Sequence, residues 1–177
     1  ELSAMAKKNN NDDMIKYLSG MKDFMLNPKE YSTTGNQEID GVLNYMLQKA
    51  NETLNQVDVQ INIPEDLYFN NFNICVILGN LVDNAVREAS KSKEKLLTIK
   101  MQIKQEVLLI FIENSYSGKI LEKRNGLQTT QPELAIHGIG LENVKKVVIA
   151  NGGEIKIDYT SNRFCVQVLL YMSRIKN

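Results

Sequence analysis

The stretch NICVILGNLVDNAVREAS, Asn73 to Ser90, decides how the rest of the chain is read. Its apolar residues recur at helical spacing: Ile74, Leu78, Leu81, Val82, Ala85 and Ala89 share one side. Asn80, Asn84, Arg87 and Glu88 fall on the opposite stripe. A plain amphipathic helix with a solvated face fits that spacing too. Asparagine, however, is a poor mid-helix residue, and two stand here one turn apart. A solvated face is ordinarily built from Lys, Glu or Gln. An Asn carbonyl oxygen suits a hard cation and its amide suits a phosphate oxygen. Mg²⁺ takes only one or two protein ligands and leaves the rest to water and phosphates. Arg87 then contacts a phosphate oxygen.

Outward from this helix the chain alternates helices and strands. DDMIKYLSGMKDFML, residues 12–26, sets Met14, Tyr17, Leu18, Met21, Phe24 and Met25 at helical spacing, and Asn27-Pro28 stops it. A polar stretch, KEYSTTGNQ, follows. A helix over 36–56 presents Ile39, Val42, Leu43, Met46, Leu47, Ala50 and Leu54. Val57 to Ile63 alternates as a half-buried strand. The Asn73–Ser90 helix is expected over 72–90. Leu96–Lys104 and Val107–Asn114 form a hairpin around Gln105-Glu106. Residues 115–136 show no period and read as a long lid or binding loop. A last helix over 140–151, capped by Gly152-Gly153, leads into the hairpin EIKIDY and RFCVQVLLYM. The expected class is α+β, a two-layer sandwich whose mixed, mostly antiparallel sheet has helices on one face.

Composition narrows the function classes. The chain has 177 residues, 21 Lys+Arg and 21 Asp+Glu, so it lacks the basic excess of a nucleic-acid binder. Cys75 and Cys165 sit in apolar runs and read as reduced core thiols. Asn51-Glu52-Thr53 matches a glycosylation sequon but lies within a helical pattern. No signal peptide or membrane span is visible. The chain begins without Met, inside a helical pattern, and reads as a fragment whose membrane anchor, if it has one, lies upstream.

The motif HGIGLENVKKV, His137 to Val147, holds the only histidine. Gly138-Ile139-Gly140 is expected to open the last helix, offering first-turn amides to an anion. A GxG alone is a weak sign. The dinucleotide-binding fingerprint requires a third glycine where Asn143 stands, and GxxxxGK[ST] is absent.

NLVDNAVREA, then IENSYSG, then HGIGLENVKKV, in that order, resemble the GHKL (Bergerat-fold) ATP-binding domain of sensor histidine kinases. The closing hairpin is similar to that family's last hairpin. TTGNQEIDGVLNYMLQKA looks like the first ATPase-domain helix of the subgroup that includes peptide-pheromone receptors. DDMIKYLSGM resembles the second helix of that subgroup's dimerisation hairpin. The resemblance divides the chain into a remnant of that hairpin (1–27), a linker (28–35) and the ATP-binding domain (36–177). It implies Asn84 as Mg²⁺ ligand, Asn80 on phosphate or magnesium-bound water, and Arg87 at a phosphate-contacting position. The backbone of His137, Gly138, Ile139, Gly140 and Leu141 would flank the triphosphate. The family's first glycine box, DxGxG, aligns with Asn114-Ser115-Tyr116-Ser117-Gly118. Only Gly118 survives, Asn114 keeps a carbonyl acceptor for adenine, and Tyr116 adds bulk. Weak nucleotide affinity is therefore expected.

What the family implies for function is a protein histidine kinase. The γ-phosphoryl of ATP would pass to a histidine upstream of Glu1, with a response regulator as partner and a homodimer in the full-length protein. The domain would be cytoplasmic in a membrane-anchored sensor. His137 is read first as a lid-end residue, then as one tuning magnesium or lid closure. It is read last as a phosphoacceptor, because it lies in the wall of the donor site. Two other readings stay open: an anti-sigma-type serine kinase, and a non-catalytic nucleotide-sensing or dimerisation module.

Overall fold

The computed structural model describes residues 31–65, 67–117, 120–123, 126–129 and 135–171. The expected helix over 12–26, and with it the 1–27 segment, lies outside the described residues, as does Gly118.

The first described helix, α1 (Gln37–Thr53), starts where its side chains say it should. Asn36 is the N-cap, its side chain accepting from the Ile39 N–H at 3.2 Å, and Glu38 and Asp40 occupy the first turn. Its end comes earlier than the period suggests: Leu54 is already extended, so that Gln56 can begin strand β1 (Gln56–Asn62). Buried Asn44 was not foreseen as structural. Its Oδ1 accepts from the amides of Tyr31 and Ser32, each at 2.8 Å, and its Nδ2 donates to the Ser32 carbonyl. Asp40 receives the Thr34 and Gly35 amides in the same way. The polar segment entering the domain is thus docked along α1.

Helix α2 (Asn71–Lys91) is capped by Asn70 and buries Ile74, Ile77, Leu78, Leu81, Val82, Ala85, Val86 and Ala89. Ile77 and Val86 widen the expected face because α2 packs against α1, the sheet and the last helix at once. Strands β2 (Leu96–Lys104) and β3 (Val107–Ser115) turn through Gln105 and Glu106, at φ 50° and 64°. Two successive left-handed residues suit the twist of a two-residue hairpin.

Within the segment expected as a loop, Ile120–Lys123 (β4) and Gly126–Thr129 (β5) pair antiparallel. Strands of four residues are too short to display a period, which is why the sequence conceals them. Helix α3 spans Ala135–Ala150, not 140–151. It ends as foreseen. Gly152 is left-handed at φ 66°, and the Gly152 and Gly153 amides donate back to Ile149 and Val148 at 3.0 and 2.9 Å. Strands β6 (Glu154–Tyr159) and β7 (Arg163–Tyr171) close the chain.

The main sheet has five strands in the order β1-β2-β3-β7-β6. Only β1 and β2 run parallel, as the α2 crossover between them requires. Register aligns Val59, Ile99, Ile112, Val166 and Ile157 in one row, and Ile61, Met101, Ile110, Val168 and Ile155 in the next. These rows meet the apolar sides of all three helices in one core. The opposite face carries Lys100, Gln102, Lys156 and Asp158 and is mostly polar and exposed. The expected two-layer α+β architecture is the one observed.

Candidate functional site

Helix α2 turns its buried side to the sheet and leaves Asn80, Asp83, Asn84, Arg87 and Glu88 partly exposed. The Asn80 Nδ2 donates to the Val76 carbonyl one turn back, at 2.8 Å, which leaves its Oδ1 as the outward atom. Asn84 Oδ1 accepts from Arg87 Nη2. Arg87 is also held by Asp83 (3.3 Å) and lies 3.7 Å from Glu88. Lys49 of α1 reaches Asp83 from the other side at 2.9 Å.

Asp83 was missing from the expected site. The 83/87 spacing is a legible i,i+4 pair. Its Lys49 partner is 34 residues away and only the α1–α2 packing brings it in.

Gly140 joins the two motifs. A Cβ built on it would lie 3.2 Å from Asn80 Oδ1 and 3.2 Å from Asn84 Nδ2. The glycine motif therefore rests directly on the asparagine pair, although 56 residues separate Asn84 from Gly140. The contact is possible because α2 and α3 pack along each other, with the Asn73 and Asn151 side chains bonded at 3.0 Å at their other ends.

The reason for the glycine is accordingly different from the one expected. Gly138 and Gly140 lie inside α3 and do not open it. The unpaired amides of such a helix start belong to residues 135–138, and Gly140 lies beyond them. Two glycines read as helix breakers in a sequence, but a helix tolerates them where close packing needs the missing side chain. His137 and Ile139 share this first part of α3, and half-buried Leu141 packs toward the core.

Asn114 sits at the end of β3, on the helix-covered face, in register with Leu97 and Phe164. It is 4% exposed, and its Nδ2 donates to the Ser115 carbonyl at 2.8 Å. Glu113 points to the other face, as the alternation predicts. There it borders a shallow depression of about 200 Å³ with Asp58, Thr98 and Arg163, on the far side of the sheet from the asparagine pair.

Tyr116 is buried, its ring tilted against Phe164 with centroids 6.4 Å apart. Burial, and then the charge of Glu88, raise its hydroxyl above the ordinary tyrosine range. Glu88 thus links the Arg87 cluster electrostatically to the strand end that bears Asn114. The two thiols are free, and burial raises both pKa values, Cys75 being near Glu38 and Cys165 near Glu113. Neither lies in an activating environment.

Chemically, neutral amide oxygens, one guanidinium and a glycine floor suit a polyanion carrying a hard cation. Among the described residues no group of His, Cys, Asp and Glu could hold a metal by itself. No described helix is long and apolar enough to cross a membrane.

A family model described as a GHKL domain matches residues 69–171. No curated protein sequence matches the chain significantly. Among solved structures, the Acinetobacter baumannii histidine kinase AdeS is similar at TM-score 0.61 and 16% identity. That match covers 96% of this chain and 84% of that one. The catalytic domain of histidine kinase ThkA follows at 0.56 and 16%, covering 79% and 93% of the two chains. The mycobacterial sensor histidine kinase MprB is similar at 0.52 and 16%, covering 75% and 95%.

Proposed function

The chain belongs to the GHKL family, and we propose that it is the ATP-binding catalytic domain of a two-component sensor histidine kinase. The observation carrying this reading is the seat of Gly140 on Asn80 and Asn84. A Cβ at residue 140 would crowd both amides, so glycine is what lets the two motifs lie against each other. The residues fit Mg²⁺–ATP: Asn84 Oδ1 would hold the ion, Asn80 Oδ1 would meet a phosphate-bound water, and the amides of residues 135–138 would face phosphate oxygens. The ion, when bound, neutralises charge on the phosphates during transfer. Arg87 turned toward a phosphate releases Asn84 Oδ1, and Asp83 and Glu88 keep the guanidinium within reach. Asn114 would accept from the exocyclic amine of adenine. The 115–136 segment, with its β4–β5 hairpin, would act as the lid. The acceptor histidine would lie upstream of Glu1, a response regulator would take the phosphoryl group next, and the full-length protein would be a homodimer anchored in a membrane.

The direct test supplies labelled ATP to the full-length protein. An acid-labile phosphohistidine is expected. ATP binding without it would leave the non-catalytic module standing, and phosphoserine on a partner would favour the anti-sigma type. A His137→Ala variant is expected to retain phosphohistidine formation within about threefold, since general acid–base roles are worth far more than that. Loss of phosphorylation with normal ATP binding would make His137 a participant.

Nucleotide affinity follows from the altered first glycine box. A charged acceptor makes a hydrogen bond about twice as strong as a neutral one, and Asn114 is neutral. Calorimetric titration with Mg²⁺–ATP is expected to give a dissociation constant of about ten micromolar or weaker, corresponding to roughly 7 kcal/mol. Submicromolar binding would contradict this.

A further inference from the structure

We propose that the Ser92–Ser115 hydroxyl pair is a positioning element that sets the orientation of Asn114 and thereby selects adenine over 6-oxopurines. The inference rests on the nucleotide reading above and deepens it.

The candidate site is split between two elements. Helix α2 carries Asn80, Asn84 and Arg87, and strand β3 carries Asn114. Ser92 is the C-cap of α2 and Ser115 the last residue of β3. Their hydroxyls meet at 2.6 Å, and the residues are only 5% and 1% exposed.

Ser92 Oγ can donate to the Ala89 carbonyl at 2.8 Å and accepts the Lys95 amide at 3.1 Å. Either hydroxyl can supply the shared proton, because Ser115 Oγ also reaches the Leu96 carbonyl at 3.4 Å. Ser115 Oγ in turn accepts the Leu96 amide at 2.8 Å. In either direction, a continuous chain through Leu96, Ser115, Ser92 and Ala89 ties the strand end to the helix end. Buried hydroxyls are costly unless paired, and here both are fully paired.

Its consequence falls on Asn114. The carbonyl of the anchored Ser115 accepts Asn114 Nδ2 at 2.8 Å. A carboxamide is nearly symmetric in shape, so only such a partner distinguishes its two ends. The reverse orientation would set two oxygens against each other. Asn114 Oδ1 is thus left as the outward atom, and no described residue donates to it. Adenine presents an amine at C6, a donor to this oxygen. Hypoxanthine and guanine present a carbonyl there, which would face it oxygen to oxygen. In a site with aspartate at this position, no such orientation is needed. Here, discrimination depends on where residue 115 holds its carbonyl.

The experiment titrates the full-length protein with Mg²⁺–ADP and Mg²⁺–IDP. Wild type is expected to prefer ADP by about tenfold, the worth of one satisfied against one unpaired hydrogen bond. Ser115→Ala is expected to cut that ratio to about twofold, and Ser92→Thr, which keeps the hydroxyl, to preserve it. In Ser92→Ala the Ser115 hydroxyl can turn only to the Leu96 carbonyl, now 3.4 Å away, so an intermediate ratio is expected. A merely structural role would lower both affinities equally. An unchanged ratio in folded Ser115→Ala, judged by circular dichroism, overturns the proposal. If that variant does not fold, an unchanged ratio in Ser92→Ala overturns it. Wild type binding ADP and IDP equally also overturns it while leaving the nucleotide reading intact. Wild type binding neither overturns both.

Discussion

Asn84→Ala in the full-length protein is expected to lower phosphohistidine formation by at least about a hundredfold, the upper range for groups that hold or orient a metal. The substitution removes the amide oxygen that would meet the cation, and it removes the acceptor of Arg87 Nη2. Arg87 would keep its contacts with Asp83 and Glu88. Folding should not suffer. Asn84 is only partly buried, and alanine is the better mid-helix residue by about half a kcal/mol. The melting temperature should therefore hold or rise while activity collapses. This pairing separates a functional asparagine from a structural one, whose loss would lower both. Asn84→Asp is the informative companion. It offers oxygens to the metal, but a full charge beside Arg87 forms a salt bridge and repels the triphosphate. Activity within about threefold of wild type in Asn84→Ala, at any Mg²⁺ concentration, would remove this residue from the site.

Gly153→Ala carries the largest stability effect. A Cβ at residue 153 would stand 2.4 Å from the Leu169 carbonyl oxygen and 2.7 Å from Leu170 Cδ2. Neither neighbour has room to yield. The first is backbone inside the β6–β7 ladder, and the second belongs to a side chain 2% exposed in the core. The turn must open, costing about 3 to 5 kcal/mol, at the exceptional end for a single substitution. In urea the midpoint should fall by more than about 1 M with little change in slope. The adjacent Gly152 provides the contrast. A Cβ there meets open space, but φ is 66°, so Gly152→Ala should cost only about 1 kcal/mol. Equal losses for the two variants would mean that conformation, not space, dictates both glycines.

The Asn80–Asn84 pair was legible because a helix shows its period over many residues, and two asparagines on one turn conflict with local propensity. The β2–β3 hairpin and the placement of Asn114 opposite Glu113 followed from alternation alone. Other features depend on partners distant in the chain. Nothing in HGIGLENVKKV tells a helix-opening glycine from one buried against another helix. Asn44, which pins the entering segment, looks like a surface residue in its own helix. Ser92 and Ser115 each resemble a turn residue until the end of α2 and the end of β3 are set side by side.

Read alone, the sequence specifies the α+β class, the helix-covered face of the sheet and the order of the longer described elements, without β4 and β5. These depend on period, propensity and capping, which act over a few neighbouring residues. Packing between distant segments is what brings Gly140 onto the asparagine pair, Lys49 to Asp83, and the Ser92 and Ser115 hydroxyls together beside Asn114. Each of these is a contact across helix–helix or helix–strand packing, where shape and hydrogen-bond partners come from segments tens of residues apart.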